Sequence, residues 1–254
     1  MRESFGGAFI INLLLVFIVI FISFMAVTIS YAKAFRVKNQ VINIVEQNRY
    51  SGTGDSYVEG HSMSAFRTWH NMFAEQHQME YINYGHNGYG VAKSPNINQG
   101  LIDVIAEVTE ADYIGVICGR NDYSCQVPIG TNDDMDSPET DKLQRTFKGS
   151  LNYMCEYLVT NFPDKKVFFL TPWYFPSRTD ITETIKPVEY IDAVLEITGL
   201  WGIPCFDAAR RSGIHVKSET FRTKYFLSVD DVSHLNETGA KLMMNNMNGW
   251  MLAL

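Results

Sequence analysis

The stretch Ser51-Gly52-Thr53-Gly54-Asp55-Ser56-Tyr57-Val58-Glu59-Gly60 places a serine directly after a glycine-rich segment. Taken alone, its Gly-Asp-Ser tripeptide is typical of a solvated turn, because these residue types favour turns and helix starts. Three later segments change that interpretation. In chain order they are a glycine turn at residues 83–90, Gly119-Arg120-Asn121-Asp122, and Asp231-Val232-Ser233-His234. Each can supply one part of a site that activates the hydroxyl of Ser56.

Strand-like and helix-like patterns alternate after this stretch. Short apolar runs predict strands, and apolar residues at helical spacing predict helices. The predicted strands are residues 80–84, 113–118, 166–171 and 203–206, and the predicted helices are residues 62–78, 97–108, 137–162, 187–200 and 236–252. The helix at 137 is predicted from Ser137-Pro138-Glu139, an N-cap followed by proline, after a long polar loop. This alternation predicts an α/β fold with a mainly parallel sheet and helices on both faces.

Three residues follow predicted strands directly. Gly88, Asn121 and Trp173 each lie in the turn after one of these strands. In parallel sheets, ligands bind beyond the carboxyl ends of the strands. We therefore expect these turns to converge on one edge of the sheet.

Charge excludes one class of partner. Residues 1–50 hold 5 of the 21 Lys and Arg residues and 2 of the 28 Asp and Glu residues, so the remainder has 16 basic and 26 acidic residues, a net charge of −10. A domain this acidic lacks the basic surface that binds nucleic acid, so no nucleic-acid partner is predicted.

The four cysteines form no C-x-x-C pair, which argues against a zinc ribbon or thioredoxin-like chemistry. Cys118 and Cys205 lie in apolar runs and are predicted to be buried free thiols. A bridge between Cys118 and Cys125 remains an alternative in an oxidising compartment.

Residues 8–32 are almost unbroken apolar sequence. About 20 such residues span a membrane, so a transmembrane helix is predicted. Ala32-Lys33-Ala34 offers a cleavage site, and a signal peptide is the alternative. Composition becomes globular near residue 50, which divides the chain into a membrane anchor with linker (1–50) and a folded domain (51–254). Lys33, Arg36 and Lys38 follow the helix and would place the domain in the cytoplasm by the positive-inside rule.

Asp231 and His234 are the candidate partners of Ser56. A serine hydroxyl is a poor nucleophile unless a base takes its proton, and a histidine oriented by a carboxylate is the usual base. Positions three apart in a helical turn lie on one side, so Asp231 can orient His234. The alternative is a solvated histidine at a helix start with a capping aspartate. For the oxyanion, the turn ending at Gly88 offers backbone N–H groups and Asn121 offers an amide.

The order of these four segments resembles that of the SGNH (GDSL-type) hydrolase family over residues 51–254. The resemblance implies an α/β/α sandwich (flavodoxin-like) that hydrolyses esters, with no metal and no organic cofactor. It implies that Ser56 is the nucleophile, Asp231 the acid and His234 the base. Ser56, Gly88 and Asn121 would form the oxyanion hole. Tyr57, Tyr123 and Trp173 are the candidate residues of a substrate pocket. Acetyl esters of carbohydrates are the substrate class implied, and anchored relatives imply a domain outside the cytoplasm.

One departure from the family pattern lies upstream of Ser56. The first strand of this family leads into Gly-Asp-Ser inside the sheet and should be apolar, but residues 46–53 are polar. Either Val41–Val45 is that strand, or the strand is missing or degraded. A degraded strand predicts weak catalysis, so an inactive membrane-tethered binding module is the alternative function.

Three further patterns have simple interpretations. Asp133-Asp134-Met135-Asp136 lacks the spacing of a calcium-binding EF-hand loop and is predicted to be a solvated acidic loop. His61, His70 and His77 have no accompanying carboxylate set, so surface or partly buried histidines are predicted. Asn236-Glu237-Thr238 matches the glycosylation triplet but overlaps the last segment of the predicted site.

Overall fold

The structure is a computed structural model that describes residues 13–33, 48–61, 68–92, 99–109 and 111–254. The chain divides into two compact units, Met1–Gln47 and Asn48–Leu254. The candidate strand Val41–Val45 lies outside the described residues.

The first unit contributes one described helix, α1 (Leu13–Lys33). It is 21 residues long, its most apolar 18 residues have a mean hydropathy of 2.9, and it is exposed along its length. By length and composition α1 can cross a membrane, and the apolar part of a signal sequence would meet the same criterion.

The second unit is built on a five-stranded sheet of β1 (Arg49–Gly54), β2 (Glu80–Gly85), β3 (Tyr113–Ile117), β4 (Lys166–Leu170) and β5 (Cys205–Phe206). The strand order is β2-β1-β3-β4-β5, and every pairing is parallel. This is the flavodoxin-like order, whose ligand site lies where the strand order reverses, between β1 and β3. The predicted α/β fold with a mainly parallel sheet is confirmed.

The expectation that the first strand is missing or degraded is wrong. β1 leads directly into Asp55 and Ser56, it is bonded on both sides, and five of its six residues are buried. Its polar sequence is suited to this place because small residues make room for neighbours. A Cβ atom added to Gly52 would lie 2.7 Å from the Tyr81 hydroxyl and 3.1 Å from Val58 Cγ1. The strand also begins at Arg49, so the folded unit extends slightly upstream of residue 51.

Helices cover both faces of the sheet. Besides α1 they are α2 (Ser56–Glu59), α3 (Trp69–Gln76), α4 (Leu101–Val104), α5 (Arg120–Ser124), α6 (Phe147–Asn161), α7 (Pro187–Leu200), α8 (Ala208–Arg211), α9 (Glu219–Tyr225) and α10 (Glu237–Leu252). The buried residues of α4, α6 and α7 form one core with Ile114, Val116 and Phe169, and those of α3 and α10 form the other with Phe168 and Leu170. Adjacent strand residues therefore face opposite layers, as expected for an α/β/α sandwich.

Two sequence predictions on the 119–162 segment are wrong. The predicted loop contains α5, and the helix predicted from Ser137 begins at Phe147, where Thr146 is the N-cap. The fully buried Arg145 explains the later start. Its guanidinium donates to Pro138 O and Thr140 O and pairs with Asp103, which holds the preceding residues in a non-helical conformation.

The other predicted elements agree with the structure to within a few residues over the described part, whereas α2, α8 and α9 were not predicted. α7 has the predicted bounds, and α10 begins one residue after its predicted start, with Asn236 as N-cap. Residues 62–67 and 97–98, the starts of two predicted helices, lie outside the described residues.

Candidate active site

Ser56 lies where β1 turns into α2. Asp55 is the N-cap of α2, and its side chain accepts a hydrogen bond from the Tyr57 N–H at 2.9 Å. Burial raises the pKa of Asp55 to about 6, although this hydrogen bond acts to lower it. The strand–turn–helix geometry puts Ser56 on the first residue of a helix, at the carboxyl end of a central strand.

The structure brings Ser56, His234 and Asp231 together. Ser56 Oγ lies 3.0 Å from His234 Nε2, and His234 Nδ1 lies 3.0 Å from Asp231 Oδ2. Burial acts to raise the pKa of Asp231, but the hydrogen bonds from the His234 side chain and backbone hold it below its ordinary value. Because an ionised carboxylate only accepts hydrogen bonds, His234 Nδ1 donates, and in the neutral imidazole Nε2 then accepts from Ser56.

The loop before α10 fixes this geometry. Asp231 Oδ1 accepts from the backbone N–H groups of Ser233 and His234, at 2.7 and 2.8 Å. An antiparallel bridge pairs Phe226 with Leu235 and closes the loop. The histidine and its carboxylate are therefore held by the backbone as well as by each other.

The turn after β2 and the start of α5 also meet. Asn121 Nδ2 donates to Tyr89 O at 2.9 Å, directly beside Gly88, whose φ is +81°. The predicted convergence of these two turns is observed. One hydrogen of the Asn121 amide is used in this contact, and the second is available to another acceptor.

Asp122 anchors the same turn. Its carboxylate accepts from the Val91 and Ala92 N–H groups at 2.9 and 3.1 Å. The residue is fully buried, and burial raises its pKa to about 7 despite these two bonds.

A small cavity adjoins Ser56 and His234. Its volume is about 30 Å³, and Tyr57 and Trp173 line it as a stacked pair with ring centroids 4.1 Å apart. Tyr123, the third residue of the predicted pocket, does not line it. Its ring is fully buried, and its hydroxyl donates to Glu183. Helix α5 accounts for the difference, because it turns Tyr123 toward the core.

Solved structures share this architecture. A Lactobacillus plantarum protein matches with a TM-score of 0.69 at 20% identity, over 82% of this chain and 97% of its own. A candidate GDSL-like lipase from Bacteroides ovatus matches with a TM-score of 0.59 at 16% identity, over 82% of this chain and all of its own (100%). A psychrotrophic esterase from Pseudoalteromonas sp., solved in a form inhibited by monoethylphosphonate, matches with a TM-score of 0.57 at 13% identity, over 82% and 98%.

This chain has the GDSL-like lipase fold. The resemblance inferred from the four segments is thereby confirmed at the level of the fold. No protein-family model matches the chain, and no curated protein sequence does either.

Two residues beside the Ser56–His234–Asp231 hydrogen-bond chain were not identified from the sequence. The His61 ring stacks on the His234 ring, with centroids 4.1 Å apart and an interplanar angle of 21°. Arg120 Nε donates to Ser233 Oγ at 3.1 Å. Arg120 lies inside one of the quoted segments, which is the only sequence signal for it. For His61 there is none, because Gly60 (φ +92°) ends α2 and redirects the chain.

The other candidate sites have structural roles among the described residues. Asp136 is buried rather than solvated, and it accepts from the Thr146 N–H and the Ser150 hydroxyl. His70 is fully buried against the Tyr50 hydroxyl, and burial lowers its pKa. The Asn236 amide donates to two backbone carbonyls.

Within the described ranges, no group of three or more His, Cys, Asp or Glu residues is placed to hold a metal ion. All four cysteines are free, so the alternative bridge between Cys118 and Cys125 is not formed.

Proposed function

We propose that this chain is a serine ester hydrolase. Ser56 Oγ attacks the acyl carbon while its proton passes to His234 Nε2, and Asp231 stabilises the imidazolium that forms. The ester C–O bond then breaks, and the alcohol leaves with that proton. Water attacks the resulting acyl-enzyme, again losing a proton to His234, which returns it to Ser56 as the acid departs. The continuous Ser56–His234–Asp231 hydrogen-bond chain is the observation that carries this proposal.

Ser56 N–H, Gly88 N–H and the Asn121 amide are the proposed oxyanion donors. The contact between Asn121 and Tyr89 O supports this assignment because it keeps the amide at the Gly88 turn. One such donor typically contributes about 10²- to 10³-fold in kcat.

A small acyl group, such as acetyl, is the proposed substrate portion. The cavity beside Ser56 is small, and the stacked rings of Tyr57 and Trp173 form part of its wall. A carbohydrate alcohol is the partner that the family resemblance implies. The proposed reaction needs no metal and no organic cofactor.

The alternative of an inactive binding module has lost its basis. It depended on a degraded first strand, whereas β1 is buried, paired on both edges and continuous with Ser56.

A fluorophosphonate probe tests the nucleophile. We expect it to modify the full-length chain, solubilised in detergent, on Ser56 alone, because only this serine is hydrogen-bonded to a histidine among the described residues. Labelling is read by mass spectrometry of the modified peptide. Unchanged labelling of Ser56→Ala would contradict the proposal.

We further propose that α1 anchors the enzyme in the membrane with the catalytic unit outside the cytoplasm, although Lys33, Arg36 and Lys38 favour the opposite orientation. Protease added to intact cells is expected to degrade the catalytic unit. Protection in intact cells, with digestion after lysis, would place the unit inside.

A further inference from the structure

Arg120 is a nearly buried cation beside the candidate triad. Only 9% of its surface is exposed, and among the described residues no carboxylate oxygen lies within 4.0 Å of its guanidinium. Two carboxylates lie near enough to Arg120 for its charge to lower their pKa values, but both are bonded to other groups. Asp55 caps α2, and Asp180 pairs with Arg178. A buried charge without an ion-pair partner is costly, so this arrangement requires a compensating interaction.

A second guanidinium lies next to the first. Arg120 Nη1 donates to Ser124 Oγ at 2.9 Å, and Arg178 Nη1 lies 3.4 Å from the same oxygen. The charge of Asp180 balances that of Arg178, so Arg120, Arg178 and Asp180 carry a net charge of +1, which the buried Asp55 offsets only from beyond ion-pair distance. This positive site stands out in a domain whose net charge is strongly negative. An anion would relieve the repulsion between the two guanidinium groups.

The orientation of Arg120 leaves donors for such an anion. The guanidinium lies over the Phe175 ring, 4.7 Å from its centroid, and Nε is held by Ser233, the neighbour of His234. Nη2 makes no hydrogen bond to any described residue. A planar guanidinium whose position is fixed by stacking is well suited to bind carboxylate, phosphate or sulfate oxygens.

We propose that Arg120 binds an anionic group of the ester substrate, so that the enzyme prefers acidic esters over neutral ones. This inference rests on the proposed hydrolase function and specifies its substrate class. The anion is a carboxylate, phosphate or sulfate on either the acyl or the alcohol part. Arg178 adds to the positive potential, while Arg120 supplies the direct contact.

Two matched ester pairs test this preference. The first pair is 4-acetoxybenzoate and its neutral methyl ester, and the second is 4-nitrophenyl hydrogen succinate and its neutral methyl ester. We expect the full-length enzyme in detergent to prefer the anionic member of at least one pair, after subtraction of the spontaneous hydrolysis of each ester, which for the hydrogen succinate includes attack by its own carboxylate. Arg120→Gln is expected to reduce that preference in kcat/KM about 10- to 100-fold, and Arg120→Lys, which keeps the charge, to reduce it less.

Arg210→Gln is the matched control, because Arg210 forms an exposed ion pair outside the site. It is expected to leave the preference unchanged. Equal losses for anionic and neutral esters in Arg120→Gln would show that Arg120 only supports the Ser233 loop, and would overturn the anion site. A wild-type enzyme without preference in either pair would overturn it as well.

A binding measurement separates this inference from the hydrolase proposal. Absence of turnover of all four esters, anionic and neutral, would contradict the hydrolase proposal alone. In that case at least one of two non-hydrolysable amides, 4-acetamidobenzoate and N-(4-nitrophenyl)succinamate, is expected to raise the Tm of the wild type. Their methyl esters are the neutral controls. Loss of the shift in Arg120→Gln supports the anion site. No shift in the wild type, or an equal shift in the variant, overturns it.

Discussion

Ser56→Ala and His234→Ala are each expected to lower kcat/KM for 4-nitrophenyl acetate by about 10⁶-fold, and the double variant to lose no more than either single variant. The hydroxyl and the imidazole act as one unit, because Ser56 Oγ and His234 Nε2 are 3.0 Å apart and each needs the other for proton transfer. Without the serine no acyl-enzyme forms. Without the histidine the hydroxyl keeps its proton. The measurement is the steady-state kinetics of the full-length chain in detergent.

Thr223→Ala is the matched control for loss of a hydroxyl. Thr223 is exposed on α9, and its hydroxyl donates to Glu219 O within the same helix. The activity of the Thr223→Ala variant is expected to equal that of the wild type. A cooperative melting transition in every variant excludes unfolding as the cause of lost activity. Losses that add up across Ser56 and His234, or activity that survives in either variant, would contradict the shared role.

Gly54→Ala is expected to lower the free energy of unfolding by about 4 kcal/mol, a large fraction of the stability of a single domain. Gly54 has a φ of +156°, where a side chain is strained. A Cβ atom there would lie 2.3 Å from the Ile117 carbonyl oxygen and 2.7 Å from Val58 Cγ2. Neither β3 nor α2 can move away without disturbing the turn that carries Ser56. Urea unfolding of the full-length chain in detergent measures the change.

Gly249→Ala is the matched control on the exposed side of α10. An added Cβ meets no atom within 4 Å there, and alanine favours helix, so a gain of about 0.5–1 kcal/mol is expected. Equal effects of the two substitutions would contradict the close packing of β1. Ester hydrolysis by Gly54→Ala, measured below its melting temperature, is expected to fall as well, because the strand positions Ser56.

Most of the candidate site was predictable from the sequence because its parts are local. Asp231 and His234 are three residues apart, so one loop brings them together, and the Ser56 turn is encoded by adjacent glycine and capping residues. Gly88 and Asn121 were predictable in a weaker sense. Each follows a strand, and parallel strands bring their carboxyl ends to one edge.

The sequence prediction that the first strand is missing or degraded was wrong for a physical reason. Apolar runs predict buried strands when side chains fill the space beside the sheet. Here Tyr81 and Val58 fill the space over Gly52, and both backbone edges are hydrogen-bonded to neighbouring strands. Burial of this strand therefore depends largely on Tyr81 and on the paired strands β2 and β3, which are distant in sequence and which no local pattern reveals.

By itself the sequence determined the alternation of strands and helices, the apolar N-terminal segment, and the order of the segments around Ser56, Asn121 and His234. These features depend on local periodicity and on turn chemistry. The tertiary structure alone decided that the segment entering Ser56 is a central strand, that His61 stacks on His234, and that Arg120 lies nearly buried beside Ser233. Such contacts join residues far apart in the chain, and they exist only once both layers of helices have packed on the sheet.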